Sequence, residues 1–302
     1  TQPQEANLKA WYKLDNTEYF NNQDKWIVDN NAITPFYNNA LKFISQSNGS
    51  GNPLTIYSGS DGNQPANLTF GASDSFSLST WYWSETTGSN NYLFTMRGSF
   101  ATGAKAYNRL TSNYLASNNS QIVGFTLRDD NNVSKSVGST LATSGHPENG
   151  AWTHLAVVVD RTAQTLQMFV NTKGTSTANI SSLGGFEMLN AITLGNDPYS
   201  SGRYYYKGRQ SNFAIFDKAL TQSEIETLYN NGTPEENISF SPVSWWKLDN
   251  LNTGIEDSAG GGNNITAASW MEVVESSVNA SIGVSSGMTE QNLVNNNVSV
   301  FN

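Results

Sequence analysis

Residues 76–83, Phe-Ser-Leu-Ser-Thr-Trp-Tyr-Trp, alternate with period two and are bulky on both sides of the alternation. Read as a strand, the segment puts Phe76, Leu78 and Tyr82 on one face and Trp81 and Trp83 on the other. Such a strand needs cover on both faces, so it belongs in the middle of a layered structure rather than on a solvent-facing sheet. A second run, Trp152 to Val159, is followed by the polar turn Asp160 to Gln164 and by Thr165-Leu-Gln-Met-Phe-Val170, which predicts a long hairpin. Further strands are expected over 92–97, 122–128, 192–194 and 213–216, with Gly, Asn and Ser loops between them. Many short strands separated by turn signals predict an all-β sandwich or jelly roll.

One helix is expected. Thr221-Gln-Ser-Glu224 has the residues of a capping box, Ile225, Leu228 and Tyr229 form an apolar stripe, and Asn230-Asn-Gly232 with Pro234 ends it.

The chain also repeats itself. Leu8-Lys-Ala-Trp-Tyr-Lys-Leu-Asp-Asn16 returns as Pro242-Val-Ser-Trp-Trp-Lys-Leu-Asp-Asn250, and Asp29 to Ile33 is answered by the Gly-rich Asp257 to Ile265. Only about 60 residues follow Pro242, where the second copy begins, too few for a domain of the first one's size. The expected division is a β-sandwich over 1–233, a linker over 234–242, and a partial second repeat or assembly segment over 243–302. Trp245, Trp246 and Leu248 are expected to be buried against the first domain, a neighbouring subunit or further residues of a longer chain, with an assembly contact as the functional reading, because an uncovered apolar strand invites aggregation.

Composition narrows the function. The net charge of −9 carries no basic footprint for nucleic acid. Charged residues make up 14% and Asn 39 of the 302 residues, so the surface is neutral and polar rather than charge-solubilised. The absence of Cys excludes disulfides, thiolate nucleophiles and cysteine-ligated zinc. No apolar run approaches the roughly 18 residues of a membrane span, and membrane insertion is not expected. Gly260-Gly-Gly262 lacks the Lys-Ser/Thr of a phosphate loop and reads as a turn. His154, one of two histidines with His146, reads as a packed structural residue.

Four pieces in order carry a resemblance: the opening AWYKLDN, the FSLSTW strand, the WTHLAVVVD hairpin and the closing KGRQSNFAIFDKALTQSEIETLY. Together they resemble the laminin-G-like branch of the concanavalin A-like lectin/glucanase superfamily. The resemblance implies a jelly roll of two antiparallel sheets with one short C-terminal helix. The junction IETLYNNGTPEENISFSPVSWWKLDN with SSGMTEQNLVNN further resembles the joints between tandem repeats in structural proteins of marine tailed phages, cyanophages especially. It implies a non-enzymatic virion surface protein, a fibre, decoration or attachment module, partnered by other virion subunits in a homo-oligomeric or repeated assembly and by a host-surface glycan. The alternative is a secreted lectin-like carbohydrate-binding module. A glycoside hydrolase is a third reading, against which the glucanase Glu-x-Asp-x-x-Glu pattern is absent and the acid clusters Asp129-Asp130, Glu224/Glu226 and Glu235-Glu236 fall in a turn, a helix and a linker.

Two sites follow from the same resemblance and from residue type. Relatives hold calcium at a sandwich rim, which points to Asp15, Asp197 and Asn212 as oxygen ligands, with Gln210-Ser-Asn212 standing where relatives often have an acidic pair. The loop over 196–206 offers planar amide, guanidinium and aromatic groups suited to sugar, and Asn196, Tyr199, Arg203, Tyr204 and Tyr206 are its expected glycan contacts. Alternation of Tyr204, Tyr205 and Tyr206 requires at least one of them to face inward if the segment is extended.

Overall fold

The structure, a computed structural model, describes residues 18–21, 25–28, 39–43, 54–58, 65–84, 91–97, 107–112, 121–140, 152–186, 191–195, 206, 208–249, 255–265 and 271–275. The chain divides into two compact units, 1–37 with 277–302, and 38–276. In the first, strands β1 (Glu18–Asn21) and β2 (Lys25–Val28) form an antiparallel pair with Tyr19 opposite Ile27.

The second unit is a sandwich built from β3 (Asn39–Phe43), β4 (Leu54–Ser58), β5 (Phe76–Ser84), β6 (Asn91–Arg97), β7 (Tyr107–Ser112), β8 (Gln121–Arg128), β9 (Ser134–Thr140), β10 (Thr153–Asp160), β11 (Thr165–Val170), β12 (Lys173–Asn179), β13 (Ala191–Leu194), β14 (Gly208–Phe216), β15 (Ser244–Trp246) and β16 (Met271–Glu275). One sheet has the order β12-β11-β10-β5-β14-β3-β16, with β15 also on β14; the other has the order β4-β13-β6-β7-β8-β9. Every pairing is antiparallel. The two-sheet jelly roll expected from the alternation is therefore the observed architecture.

Strand β5 sits in the interior of the larger sheet, between β10 and β14, as its two bulky faces require. Phe76, Leu78 and Tyr82 enter the core between the sheets, where Phe94 of β6 meets Phe213 of β14 at 4.9 Å between ring centroids. The opposite face of the same sheet carries a second apolar cluster, formed by Ala156, Val158, Phe169, Ala214 and Phe216 with Leu220, Ile225, Leu228 and Trp245. Helix α1 (Gln222–Tyr229) covers this face. Small residues on β5 let it approach: Ser77 Oγ donates to Lys218 O at 2.8 Å and accepts from Leu220 N at 3.0 Å, fixing the chain just before the helix. At the sheet edges, Ser176 of β12 ties the two layers, its Oγ accepting from Gly138 N and donating to Gly138 O on β9, both at 2.8 Å. That bridge satisfies an edge that would otherwise expose its ladder groups.

The hairpin of β10 and β11 has the predicted strands, with a loop one residue shorter because Asp160 still pairs with Thr165. Asp160 Oδ1 accepts from Thr162 N and Ala163 N, at 2.8 and 2.9 Å, and Gln164 takes the left-handed turn conformation. The helix also falls where its cap predicts. Thr221 Oγ1 accepts from Glu224 N at 3.3 Å, Glu224 Oε2 accepts from Thr221 N at 2.9 Å, and Asn230 ends the helix in the left-handed region. Thr221→Ala should lower stability by about 1 kcal/mol, seen in urea unfolding as an earlier midpoint with unchanged slope; no shift would mean the cap leaves the helix no firmer than solvent does.

The segment after the helix departs from the expected boundary. Instead of opening a separate unit at 243, residues 243–275 complete the sandwich, because β15 hydrogen-bonds along Phe213 to Ile215 and β16 pairs with β3. Trp246 and Leu248 lie in the core between the sheets, and Trp245 in the outer cluster, where its Nε1 donates to Asn212 Oδ1 at 2.8 Å. Their burial within this unit, at 0%, 0% and 7% exposure for Trp246, Leu248 and Trp245, replaces the assembly contact assigned to them with a core role. Asp257 clamps the segment from the Gly-rich turn: Oδ1 accepts from Trp245 N and Ala259 N, and Oδ2 from Ser244 Oγ and Asn263 N, all within 3.2 Å. Gly261 is required there, since a Cβ would lie 2.7 Å from Asp257 Oδ2 and 2.6 Å from Val243 O.

Candidate functional site

The face of the six-stranded sheet turned away from the core is where polar side chains collect. Its inner face carries the apolar residues: Phe94 and Met96, Val123, Phe125 and Leu127, Val137, and Ile192 and Leu194 all enter the inter-sheet core. Strand alternation then assigns the residues between them to the other face. Cross-strand register orders those residues in two rows. One runs Thr193, Thr95, Arg109, Thr126, Ser136; the next runs Ala191, Arg97, Tyr107, Arg128, Ser134.

By sequence the row positions are Thr, Ser, Arg, Tyr and one Ala, with no Asp or Glu. Three of the chain's six arginines, Arg97, Arg109 and Arg128, occupy register positions on this one face, although the chain as a whole is acidic. The β13–β6 end is closed, with Thr95 and Thr193 each 1% exposed and their hydroxyls hydrogen-bonded at 2.7 Å. The β8–β9 end is open: Ser134 and Ser136 are exposed, and Thr126 Oγ1 lies 2.9 Å from Ser136 Oγ. The open end of this face thus presents exposed serines, one of them paired with Thr126, beside the register position of Arg128.

A second polar pair is sealed. His154 of β10 stands on the outer face of the larger sheet, its Nε2 2.9 Å from Ser79 Oγ, its ring 5.2 Å from that of Trp81 and 6.1 Å from that of Tyr229. Trp81 and Tyr229 stack at 5.6 Å. Full burial pushes the imidazole down to about 3, so it is neutral near pH 7. Asn171 accepts from the His154 backbone N and not from the ring, and Nδ1 has no partner among the described residues. With Ser79 4% exposed and His154 0%, this is not the solvent-facing, oriented Ser–His pair a nucleophile needs. It is a packed histidine that helps seat the helix, as its sequence context suggests.

The other residues singled out from sequence are placed as follows. Tyr206 is 1% exposed, its hydroxyl donating to Trp83 O at 2.8 Å and Arg209 O at 3.0 Å, with its ring edge-on to Phe43. It is the inward tyrosine of its run and a structural tie, which corrects its assignment as a glycan contact. Asn196, Tyr199, Arg203 and Tyr204 lie outside the described residues, as do Asp15 and Asp197. Asn212, in the left-handed region, gives its side-chain oxygen to the Trp245 indole. That bond makes it a bulge residue at the β14 edge, its side-chain oxygen engaged by the indole. No group of three or more His, Cys, Asp or Glu side chains that could hold a metal ion occurs among the described residues. Nor is any helix among them long and apolar enough to cross a membrane.

Sequence reasoning missed the polar face. Arg97 and Arg128 ended predicted strands, and residues 134–140, Ser-Lys-Ser-Val-Gly-Ser-Thr, carry one large aliphatic side chain and read as loop. The signal that could have found it is the pairing of small polar strands beside apolar ones, which appears only once register is known.

Comparison with known proteins agrees with this architecture. No curated protein sequence matches the chain. A protein from Bacteroides ovatus, named as a candidate carbohydrate binder, superimposes with a TM-score of 0.55 at 15% identity, over 79% of this chain and 60% of its own. The native heptameric SAP-like pentraxin of Limulus polyphemus superimposes with a TM-score of 0.50 at 14% identity, over 79% of this chain and 95% of its own. At such identities the likeness is one of fold. The family model of the concanavalin A-like lectin/glucanases superfamily matches residues 57–226, from β4 through most of α1 and more than half of the chain. The sequence match and the two-sheet jelly roll together establish that this chain belongs to the concanavalin A-like lectin/glucanases superfamily.

Proposed function

We propose that the protein is a non-catalytic carbohydrate-binding module whose sugar lies on the open end of the polar face of the six-stranded sheet. The observation that carries this reading is the pair of cross-strand rows, in which arginine, tyrosine and hydroxyl positions replace the apolar residues of the inner face. Hydroxyls of a sugar ring need donors and acceptors held in place, and a sheet supplies them without ordering a loop. Three arginine positions on one face of an acidic chain favour a glycan bearing carboxylate or sulfate, which a guanidinium can hold bidentately. The fold neighbour named for carbohydrate binding supports the sugar class and not the particular sugar.

The wider setting we propose is a virion surface, where the module would serve in a fibre, decoration or attachment structure. Its support is the resemblance of the 225–250 junction and the 285–296 segment to joints between repeats in phage structural proteins, together with the Asn-rich, low-charge, Cys-free composition. A glycan array probed with the full chain tests the binding reading. Retention on sialylated, uronate-containing or sulfated glycans, lost as salt is raised, is the expected result. Absence of retention on every acidic and neutral glycan would overturn it.

A further inference from the structure

Helix α1 rests on the outer face of the larger sheet above a group that changes charge in acid. Of its eight residues only Ile225 and Leu228 are buried. Tyr229 stacks on Trp81, and Gln222 Nε2 donates to Thr172 O at 3.0 Å. The chain is pinned on either side of the helix: Leu220 N donates to Ser77 Oγ just before it, and β15 pairs with β14 beyond it. Between the helix and that second anchor, Asn230, Asn231 and Gly232 all take positive φ. Eight residues are too few to stay helical once lifted off the sheet. Residues 221–232 are therefore a segment that can open locally without unpairing any strand.

We propose that α1 is an acid-opened latch: when His154 takes a proton, residues 221–232 leave the sheet while the sandwich stays folded. His154 is fully buried beneath the end of the helix, with Trp81 and Tyr229 against its ring. Its Nε2 meets the Ser79 hydroxyl at 2.9 Å, and Nδ1 has no partner among the described residues. An imidazolium carries two N–H donors. Ser79 can accept one of them, which leaves the other a buried, charged donor with nothing to take it.

The elements packed around the ring bring no carboxylate to it among the described residues. From β5 come Ser79 and Trp81, with Ser77 and Trp83 the next outer positions, and from β14 comes Arg209, stacked on Trp83. The β11–β12 turn brings Asn171, whose oxygen accepts from the His154 backbone N, followed by the exposed Lys173. On β10 the other charged residue, Asp160, is at the far end of the strand. On α1, Glu224 is engaged by Lys218 and the Thr221 backbone, Glu226 by Gln222, and Tyr229 is the titratable group that touches the ring. The proton is tolerated only if water reaches the ring. The helix is the cover that yields, because β5 and β10 are locked in their ladders. The imidazole titrates near 6.5 when uncovered and at about 3 when covered, so the ratio of open to closed protein rises as pH falls between those values, roughly two-hundredfold from pH 7 to pH 4. Opening uncovers the apolar strip of Ala156, Val158 and Phe216.

Hydrogen exchange of the full chain, read by mass spectrometry of its peptides, tests this in wild type, His154→Gln and Thr221→Ala. Protection factors, corrected for the intrinsic exchange rate, are compared from pH 7 to pH 4. In wild type the peptides covering 221–232 should lose protection by about a hundredfold or more, while those from β5, β10 and β14 keep theirs. In His154→Gln the helix should stay protected across the range. Thr221→Ala, which weakens the helix cap and leaves the histidine in place, should move the onset upward by most of a pH unit. The proposal is overturned if the wild-type helix keeps its protection at pH 4, if the strands lose theirs together with it, if His154→Gln opens as wild type does, or if Thr221→Ala leaves the onset where it was.

Discussion

Phe213→Ala should lower the stability of the sandwich by about 3–5 kcal/mol, the largest loss expected from one side chain. The ring is fully buried at the centre of β14, 4.9 Å from Phe94 of the opposing sheet and 5.6 Å from Trp246 on the adjoining strand. Truncation removes its transfer free energy and leaves a cavity bounded by two hydrogen-bonded sheets that cannot close around it. Against a total stability of roughly 5–15 kcal/mol for a folded domain, that is a large fraction. Urea unfolding of wild type, Phe213→Ala and the peripheral Phe240→Ala measures it. Phe240 is half-buried beside Phe216, so its loss should be much the smaller. Equal losses would contradict the placement of the core between the two sheets.

Acid should destabilise the protein above the range where carboxylates titrate, and His154 should be the reason. Its imidazole is held at about 3 by burial, against about 6.5 when unfolded. The unfolded chain therefore binds the extra proton between those values. Stability from this group is fully present above pH 6.5 and is lost progressively as pH falls from there toward 3. The slope approaches about 1.4 kcal/mol per pH unit, which amounts to about 2 kcal/mol between pH 7 and pH 5. In His154→Gln, which stays neutral and can still meet Ser79, denaturant midpoints should be flat over that interval. A wild-type midpoint that does not move between pH 7 and pH 5 would mean the imidazole is accessible to solvent.

What the sequence revealed follows physical lines. Strands in the middle of the larger sheet are covered on both faces, so β5, β10 and β14 carry near-continuous apolar or bulky residues and stand out. The helix was visible because Thr221 and Glu224 mark its start. Strands β9 and β12 were not visible: they are sheet edges, built of Ser, Thr, Gly and Lys, and their register comes from partners distant in sequence. The burial of Trp245, Trp246 and Leu248 was legible, with the first domain among the surfaces expected to cover them, but the choice between that surface and a neighbouring subunit needed the pairing of β15 with β14. The expected glycan loop rested on residue type alone, and Tyr206 shows the weakness of that evidence, since its hydroxyl is spent on two backbone carbonyls. The polar face carries information no single segment holds, because its rows run across five strands.

The central claim is that sugar is held on that face, and titration calorimetry with face variants measures it most directly. The best acidic glycan from the array would be titrated into wild type, Arg128→Ala, Ser136→Trp and a control, Thr162→Trp, which places the same bulk on the exposed β10–β11 turn. Removing a guanidinium and blocking the exposed hydroxyl row should each weaken binding roughly tenfold or more, about 1.4 kcal/mol, while melting temperatures stay within a degree or two of wild type and the control binds normally. Unchanged affinity in both face variants, with the wild-type protein binding the same glycan, would contradict the account.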